Sequence, residues 1–400
     1  MNSGWRIGSI FGIPLFLDSS WFIILTFVTF IYGSAWQQNH IDWSIGLAWG
    51  AGLVTALLLF SSVLLHELGH SLVALSQGIK VNSITLFLFG GIASIDRESK
   101  TPGGAFQVAI AGPLVSLALF GMLTLLNSLS ASSVIDELTG SVAQINLVLA
   151  LFNLIPGLPL DGGQVLKAAV WKFTGNRFQG VRWAARIGQT LGWSAIFLGV
   201  TAYLTSQRFD LLWIALIGWF GVRNANAYNR VTNLQEALLR LKAEDAMTRE
   251  FRVVDANMTL RRFADEYLLT ENRPSAYFAA SEGRYRGLVS ADDLRIVERS
   301  RWEEQPINTI VKPLMTIPIV RESTPITEVI DKLEKQDLSR ITVLSPADAV
   351  AGVIDRGDIV RALAKKLNLQ ISESIIQNIK DEGAYPPGLQ LQAIAKAADE

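Results

Sequence analysis

The sequence predicts a polytopic α-helical membrane protein, with about six transmembrane helices and small membrane-associated β elements, followed by a cytosolic α/β domain of two similar halves. Three observations carry that prediction. Half of the 400 residues are hydrophobic and only 18% are charged, too apolar a balance for a pair of ordinary soluble domains. The apolar residues are concentrated before about position 222, in runs long enough to cross a bilayer. After position 244 charge is high, no spanning run occurs, and one pattern is repeated.

Taken in order, the spans fall at about 18–35, 46–75, 105–127, 141–160, 187–205 and 210–222, the last two separated only by a short connection containing Arg208 and Asp210. Basic residues follow the even spans: Lys80, Arg97 and Lys100 after the second, Lys167, Lys172, Arg177, Arg182 and Arg186 after the fourth, Arg223 and Arg230 after the sixth. The opposite loops carry Arg208 alone, so the positive-inside rule places both termini in the cytoplasm. The first twenty residues do not read as a cleaved signal peptide, because Arg6 stands alone and Pro14 and Asp18 interrupt the apolar run. Cysteine is absent, which excludes a disulfide framework and leaves nitrogen and oxygen as the ligands for any metal. An integral, multi-pass protein of a prokaryotic cell membrane fits these features, and an organellar membrane fits them too.

The second span contains His66-Glu67-Leu68-Gly69-His70. Positions i and i+4 of a helix share a face, so both imidazoles can ligate one zinc ion while Glu67 stands ready to take a proton from water. A soluble helix with two surface histidines is the bland alternative. It conflicts with the uncharged run Ile45 to Leu65 just before the motif, since ionisable groups within a span are costly and functional by default. The third histidine, His40, lies in a polar loop and reads as solvated. A catalytic zinc needs a third protein ligand, which here must be a carboxylate. Asp161 is the candidate, in the stretch Asn153-Leu154-Ile155-Pro156-Gly157-Leu158-Pro159-Leu160-Asp161-Gly162-Gly163. That stretch taken alone reads equally as a helix-terminating loop with Asp161 as the next N-cap. The second and fourth spans run in the same direction, however, which brings the two motifs to one depth.

With both motifs in place, the chain resembles the site-2 protease family of intramembrane zinc metalloproteases, over roughly residues 5–225. The resemblance rests on HExxH and on Asn-x-x-Pro-x-x-Pro-x-Asp-Gly. It implies one Zn2+ per chain held by His66, His70 and Asp161, with Glu67 as general base and acid. Asn153 is then a group that positions substrate or stabilises the oxyanion. It further implies that Gly90 and Gly91, after the strand-like run Ser83 to Phe89, belong to a strand that binds unwound substrate, although the pair by itself reads equally as a hairpin turn. Ala111-Gly112-Pro113 in the third span also matches. Ser116 and Gln164 depart from the commonest family pattern without touching a ligand. The implied substrates are single-span proteins such as an anti-sigma factor or a membrane-tethered transcription factor, cut near the cytoplasmic face.

Residues 223–243 read as a polar helical linker, 244–368 as the duplicated region and 369–400 as a C-terminal tail. The first copy runs from Asp245-Ala246-Met247-Thr248 to Leu294 and the second from Lys312 to Ile359, each reading as a strand, a helix, two strands and a helix. This region resembles a tandem CBS pair. The resemblance implies an adenine nucleotide (ATP, ADP or AMP) at Ser290, Asp293, Asp355 and Asp358. Asp355 replaces the usual hydroxyl residue, and a carboxylate beside phosphate is repulsive, so the same residues also read as turn and N-cap positions of a purely structural module. A homodimer through the pair, and modulation of the membrane half through the sixth span, are the further expectations. No nucleic-acid partner is expected. The tail, with Pro386-Pro387-Gly388 and an Ala-rich helix, is either free or docked at the catalytic cleft.

Two other functions compete with regulated intramembrane proteolysis. A CBS-gated transporter or channel would place polar residues along several spans, whereas here they cluster around HExxH and Asp161. An inactive family member serving as a membrane scaffold would have lost Glu67 or a histidine, and all are present.

Overall fold

The computed structural model describes residues 4–88, 90–129, 133–269, 276–386 and 389–399, in two compact units, Met1–Thr232 and Asn233–Glu400. The first unit opens with a hairpin, β1 (Trp5–Ile10) and β2 (Ile13–Leu17), ahead of helix α1 (Ser20–Asn39). Helix α2 (Ile45–Ser76) carries HExxH and leads into β3 (Val81–Phe87) and β4 (Gly90–Ile95). Helices α3 (Pro102–Leu129), α4 (Ser133–Asn153), α5 (Asp161–Thr174), α6 (Arg177–Ser206) and α7 (Leu212–Leu239) follow.

Five helices are long and apolar enough to span a bilayer: Ser20–Asn39, Ile45–Ser76, Pro102–Leu129, Val134–Asn153 and Arg177–Ser206. Large apolar side chains along them, among them Phe27, Leu125 and Phe197, are exposed, as a lipid solvent would leave them. At several helix crossings the packed residues are small, so backbones approach closely there. A Cβ on Gly52 would stand 2.7 Å from the backbone nitrogen of Gly33, and one on Gly192 2.7 Å from the carbonyl of Gly218.

Two boundaries differ from those expected. The fourth helix ends at Asn153 instead of near 160, because Pro156 and Pro159 lack amide donors and disfavour helical backbone at the residues before them. The sixth helix is not confined to 210–222. It runs on as α7 to Leu239, so most of the stretch read as a polar helical linker is helix continuous with the sixth span.

The four strands form one sheet in the order β1-β2-β3-β4, with β2 and β3 parallel and the other pairs antiparallel. Its inner face, Ile13, Leu15 and Ile84, packs on Leu68 and Ala74 of α2. The sheet therefore lies against the helix that carries HExxH, and β4 is its edge. Phe89, included in the expected strand, falls outside the described residues.

The second unit starts from the end of α7 and a short turn, α8 (Ala243–Ala246). Its first half comprises β5 (Phe251–Asp255), α9 (Leu260–Phe263), β6 (Ala276–Ser281) and β7 (Arg284–Val289), joined by β8 (Lys312–Pro313) from the start of the second. The second comprises β9 (Ile319–Arg321), α10 (Ile326–Lys335), β10 (Arg340–Leu344), β11 (Val350–Asp355) and α11 (Arg356–Lys366). The sheet orders are β5-β6-β7-β8 and β11-β10-β9. Each half lends its leading segment to the other: Lys312 and Pro313 pair with β7, while Thr248 bridges to Val353 of β11. This reciprocal exchange is what a duplicated unit with approximate twofold symmetry produces. Between the halves lies an apolar seam of Ala276, Phe278, Leu344, Val350 and Val353.

The halves are unequal. Where the first was expected to close with a helix, it has only single turns at Asp293–Ile296 and Arg299–Arg301. In the second half Ile326, Val329, Ile330 and Leu333 bury one stripe of α10, as helical periodicity requires. Onto that half fold two C-terminal helices, α12 (Glu373–Glu382) and α13 (Leu391–Asp399), with Ile376, Ile379, Leu391 and Ala395 in its core. Pro387 and Gly388 lie outside the described residues.

Candidate metal centre

The four-residue spacing on α2 turns His66 and His70 to one face, where both are buried. Their outer ring nitrogens are already committed. His70 Nδ1 lies 2.6 Å from the carbonyl of Val108, which can only accept, so Nδ1 carries the proton and Nε2 presents a lone pair. His66 Nδ1 lies 3.0 Å from the hydroxyl of Ser116, a residue of α3 with no exposed surface. Carbonyl and hydroxyl hold the rings so that both Nε2 atoms face inward, 3.3 Å apart.

Asp161 arrives from the other motif. The loop after α4 is pinned by the Leu158 amide donating to the carbonyl of Ala184 at 3.2 Å, with the Leu158 side chain buried among Val181, Ala184 and Ala185 of α6. Helix α5 then begins directly beneath that loop. A side chain on Gly162 would collide with the carbonyls of Leu154 and Ile155, and one on Gly163 would stand 2.7 Å from the carbonyl of Gly157, which accounts for the Asp-Gly-Gly sequence. The N-cap of α5 is Leu160, without a side-chain cap, so Asp161 is free of capping duty. Its Oδ2 lies 3.0 Å from His66 Nε2 and 3.3 Å from His70 Nε2.

The three groups thus offer ligand atoms within 4.8 Å of one another, a geometry that could hold one metal ion. Two His with one carboxylate, their ligand atoms turned to one point, is a donor set of catalytic zinc. The space is also kept open. Helix α3 crosses here at Gly112, where a Cβ would meet His70 Nε2 and stand 2.7 Å from His66 Nε2. The residues present therefore fit zinc.

Two further sequence-predicted residues converge on the same place. Asn153 Nδ2 lies 3.5 Å from His66 Nε2. Glu67, next on α2, faces the sheet: a Cβ on Gly91 would stand 2.6 Å from Glu67 Cγ, so only glycine lets β4 pass so near that carboxylate. Gly90, at φ +128°, starts the strand.

Sequence reasoning missed the roles of Ser116, the Val108 carbonyl and Gly112, and also the Asn146 amide of α4, which donates to Ser62 on α2 at 2.9 Å. The signal was a Gly-Pro in mid-helix and lone polar residues within apolar spans, visible as anomalies but silent about partners.

The four residues read as nucleotide contacts are engaged within the second unit. Ser290 donates through both its amide and its hydroxyl to Asp293 Oδ2, at 3.0 and 2.8 Å, while Lys312 meets Asp293 Oδ1 at 2.7 Å. Burial pushes the Asp293 carboxyl up, but Lys312 and Ser290 hold it below its usual range. In the other half Asp355 and Asp358 exchange hydrogen bonds with each other's amides as the N-terminal box of α11. Lys380 of α12 lies 2.7 Å from Asp358 Oδ1 and 3.4 Å from Asp355 Oδ2.

Comparison with known proteins bears on both units. The model of Peptidase family M50 matches residues 54–131 and 118–193, and that of the CBS domain matches residues 311–365. A Synechocystis sp. protein whose name describes a zinc metalloprotease is 41% identical over 365 residues, which cover 91% of this chain and 96% of that protein. A zinc metalloprotease of Methanocaldococcus jannaschii is 31% identical over 368 residues, covering 91% of this chain and 97% of that protein. Among solved structures, a site-2 protease from Methanocaldococcus jannaschii is 31% identical and covers 57% of this chain and 95% of its own, with a TM-score of 0.41.

Proposed function

As the chain belongs to peptidase family M50, the site-2 protease family, and carries a CBS domain, we propose that it hydrolyses peptide bonds within or near the membrane-spanning segments of single-span proteins. The observation that carries this reading is the convergence of three ligand atoms beside Glu67 and beside the free edge of β4. Six helices cross the membrane in it, α7 being the last, and both termini are cytoplasmic, in keeping with the basic even loops.

His66, His70 and Asp161 would hold the metal, and zinc there would supply a lowered water pKa and polarisation of the scissile carbonyl. Glu67 takes the proton from the attacking water as its oxygen bonds to the carbonyl carbon. The Asn153 amide donates toward the oxygen that gains charge. When the C–N bond breaks, Glu67 hands the proton to the departing amine. A peptide bond inside a helix is hydrogen-bonded to its own chain, so the substrate must unwind first, and pairing of the extended segment with the outer edge of β4 offsets part of that cost. Gly91 keeps that edge in contact with Glu67.

The test is cleavage of single-span substrates in liposomes by the wild-type protein and by Glu67→Gln, with zinc measured in both. Cleavage should fall by about 10²–10⁴-fold with zinc retained, the range for loss of a general base. Zinc missing from both proteins, or cleavage unchanged, would overturn the reading, as would a cut at the non-cytoplasmic end of the substrate. Neither the transporter nor the scaffold is favoured by the relatives, which bear protease names.

For the second unit we propose modulation of the protease, with an adenine nucleotide as ligand and a homodimer as its assembly. The first half supports this better than the second, since Ser290 and Asp293 meet one half-exposed lysine, whereas Asp355 and Asp358 are closed by Lys380 under α12. Equal cleavage rates with and without saturating AMP, ADP or ATP would remove the nucleotide.

A further inference from the structure

We propose that Lys167 and Glu98 form a positioning pair that anchors the end of β4 to α5 and so sets where an extended substrate lies relative to Asp161. The proposal rests on the strand-pairing reading above. Lys167 follows Asp161 on α5 by less than two turns and is only 4% exposed. Its ammonium meets Glu98 Oε2 at 2.6 Å and Gln164 Oε1 at 3.4 Å. Glu98 lies in the connection that leaves β4 for α3, with its side chain 58% exposed.

A buried ammonium persists only where a carboxylate meets it, and an apolar side chain at the same position of α5 would pack without that requirement. The lysine therefore carries a constraint that helix formation and packing do not explain. What it joins is informative. The helix on one side bears Asp161, and the strand on the other passes Glu67 at Gly91. Among the described strands β4 is paired only with β3, so the ladder fixes one of its edges and leaves the other to receive substrate. The ladder and the packing of Ala93 and Ile95 hold β4 to β3 and α2, but neither ties it to α5. The Glu98–Lys167 contact supplies a tie to α5 at the end of β4 away from Gly90, linking the strand to the helix that bears the metal ligand.

The chain contains no cysteine, so thiols introduced at Ile92→Cys and Ser94→Cys, both exposed on β4, are unique. In full-length Glu67→Gln protein in liposomes, each is tested for disulfide formation with single-span substrates bearing one cysteine at successive positions around the cut. An extended, paired substrate gives cross-links at alternate positions. Adding Lys167→Met should lower their yield by at least about fivefold and blur the alternation, with zinc content unchanged, and Glu98→Gln should do the same from the exposed side of the pair. The double exchange Glu98→Lys with Lys167→Glu should restore the alternating pattern. With Glu67 intact, either single change should raise KM by about fivefold and leave kcat within about twofold, the signature of lost substrate positioning. An alternating pattern that survives Lys167→Met, zinc lost together with the cross-links, or a double exchange that restores nothing would overturn the pair while leaving strand pairing intact. An absence of alternation in the Glu67→Gln parent would overturn strand pairing and this proposal with it.

Discussion

In the membrane unit, Asp161 Oδ2 and the Nε2 atoms of two histidines converge across about a hydrogen-bond length, a donor set that suits zinc. In the second unit, Asp293, Asp355 and Asp358 are drawn from equally suggestive motifs, yet each already meets a lysine and a set of amide or hydroxyl donors. The difference teaches how to weigh acidic motifs. A carboxylate whose charge and lone pairs are met by its own chain is stable without a ligand, whereas imidazole and carboxylate ligand atoms converging on one point suit a cation. The same contrast separates the two glycines beside these clusters. Gly112 keeps space open for an ion between the imidazoles, while Gly357 lets α12 close in, since a Cβ there would stand 2.6 Å from Lys380 Cγ.

The sharpest way to break the comparison is to fill the open space. Gly112→Ala should abolish both zinc binding and cleavage, whereas Gly46→Ala, with nothing within 4 Å, should change neither; zinc per chain measured on both proteins decides it. Next in size is the support behind the ligands. Ser116→Ala should weaken zinc by about 10–100-fold in competition with a chelator, the usual effect of losing a partner that orients a metal-binding histidine, and Ser116→Thr should recover most of it. If both substitutions leave zinc affinity alone, the His66 ring is held by packing and the hydroxyl is incidental.

On the other side of the comparison, Lys380→Met removes the cation that meets both Asp355 and Asp358, leaving Arg361 on Asp358 alone. The second unit should lose about 2 kcal/mol, the scale of one charged hydrogen bond, read as faster amide exchange in α11 and α12 of the full-length protein. Exchange unchanged in both helices would mean that the acidic pair is met by solvent and that the contrast with the metal centre is weaker than drawn. The smallest effect is a pH dependence. Burial, and then the nearby Asp355, push the Asp358 carboxyl up to about 6 from 3.8, against the pull of Lys380. Because its folded value lies above its unfolded one, the stability it contributes is complete below pH 4 and is lost as pH rises through 6. Protection of α11 should therefore decline between pH 5 and 7 after correction for intrinsic exchange, and Asp358→Asn should flatten that decline.

Much of this architecture is legible in the residues because it follows from local rules. Apolar runs of sufficient length announce the helices, Pro156 and Pro159 break the fourth before Asp161, and the repeated pattern announces two similar halves. The i, i+4 histidines share a face in any helix, so a two-histidine site can be read from spacing alone. The expected fourth span runs past prolines that already mark its end at Asn153, and the error where local rules are silent is the first half, which closes with turns instead of a helix.

By itself, the sequence determined which residues could ligate a metal, which of them could move a proton, and that both motifs belong to an apolar bundle. Only the tertiary structure decided that Ser116 and the Val108 carbonyl turn the imidazoles inward, that Gly112 keeps the space between them clear, and that Gly91 brings an edge strand onto Glu67. It also decided that a lysine from the last helices meets the acidic pair of the second half. The physical reason is distance along the chain. Periodicity and propensity act over a few residues, whereas these contacts join segments far apart in sequence and are selected by close packing and by the cost of leaving a buried polar group unmet.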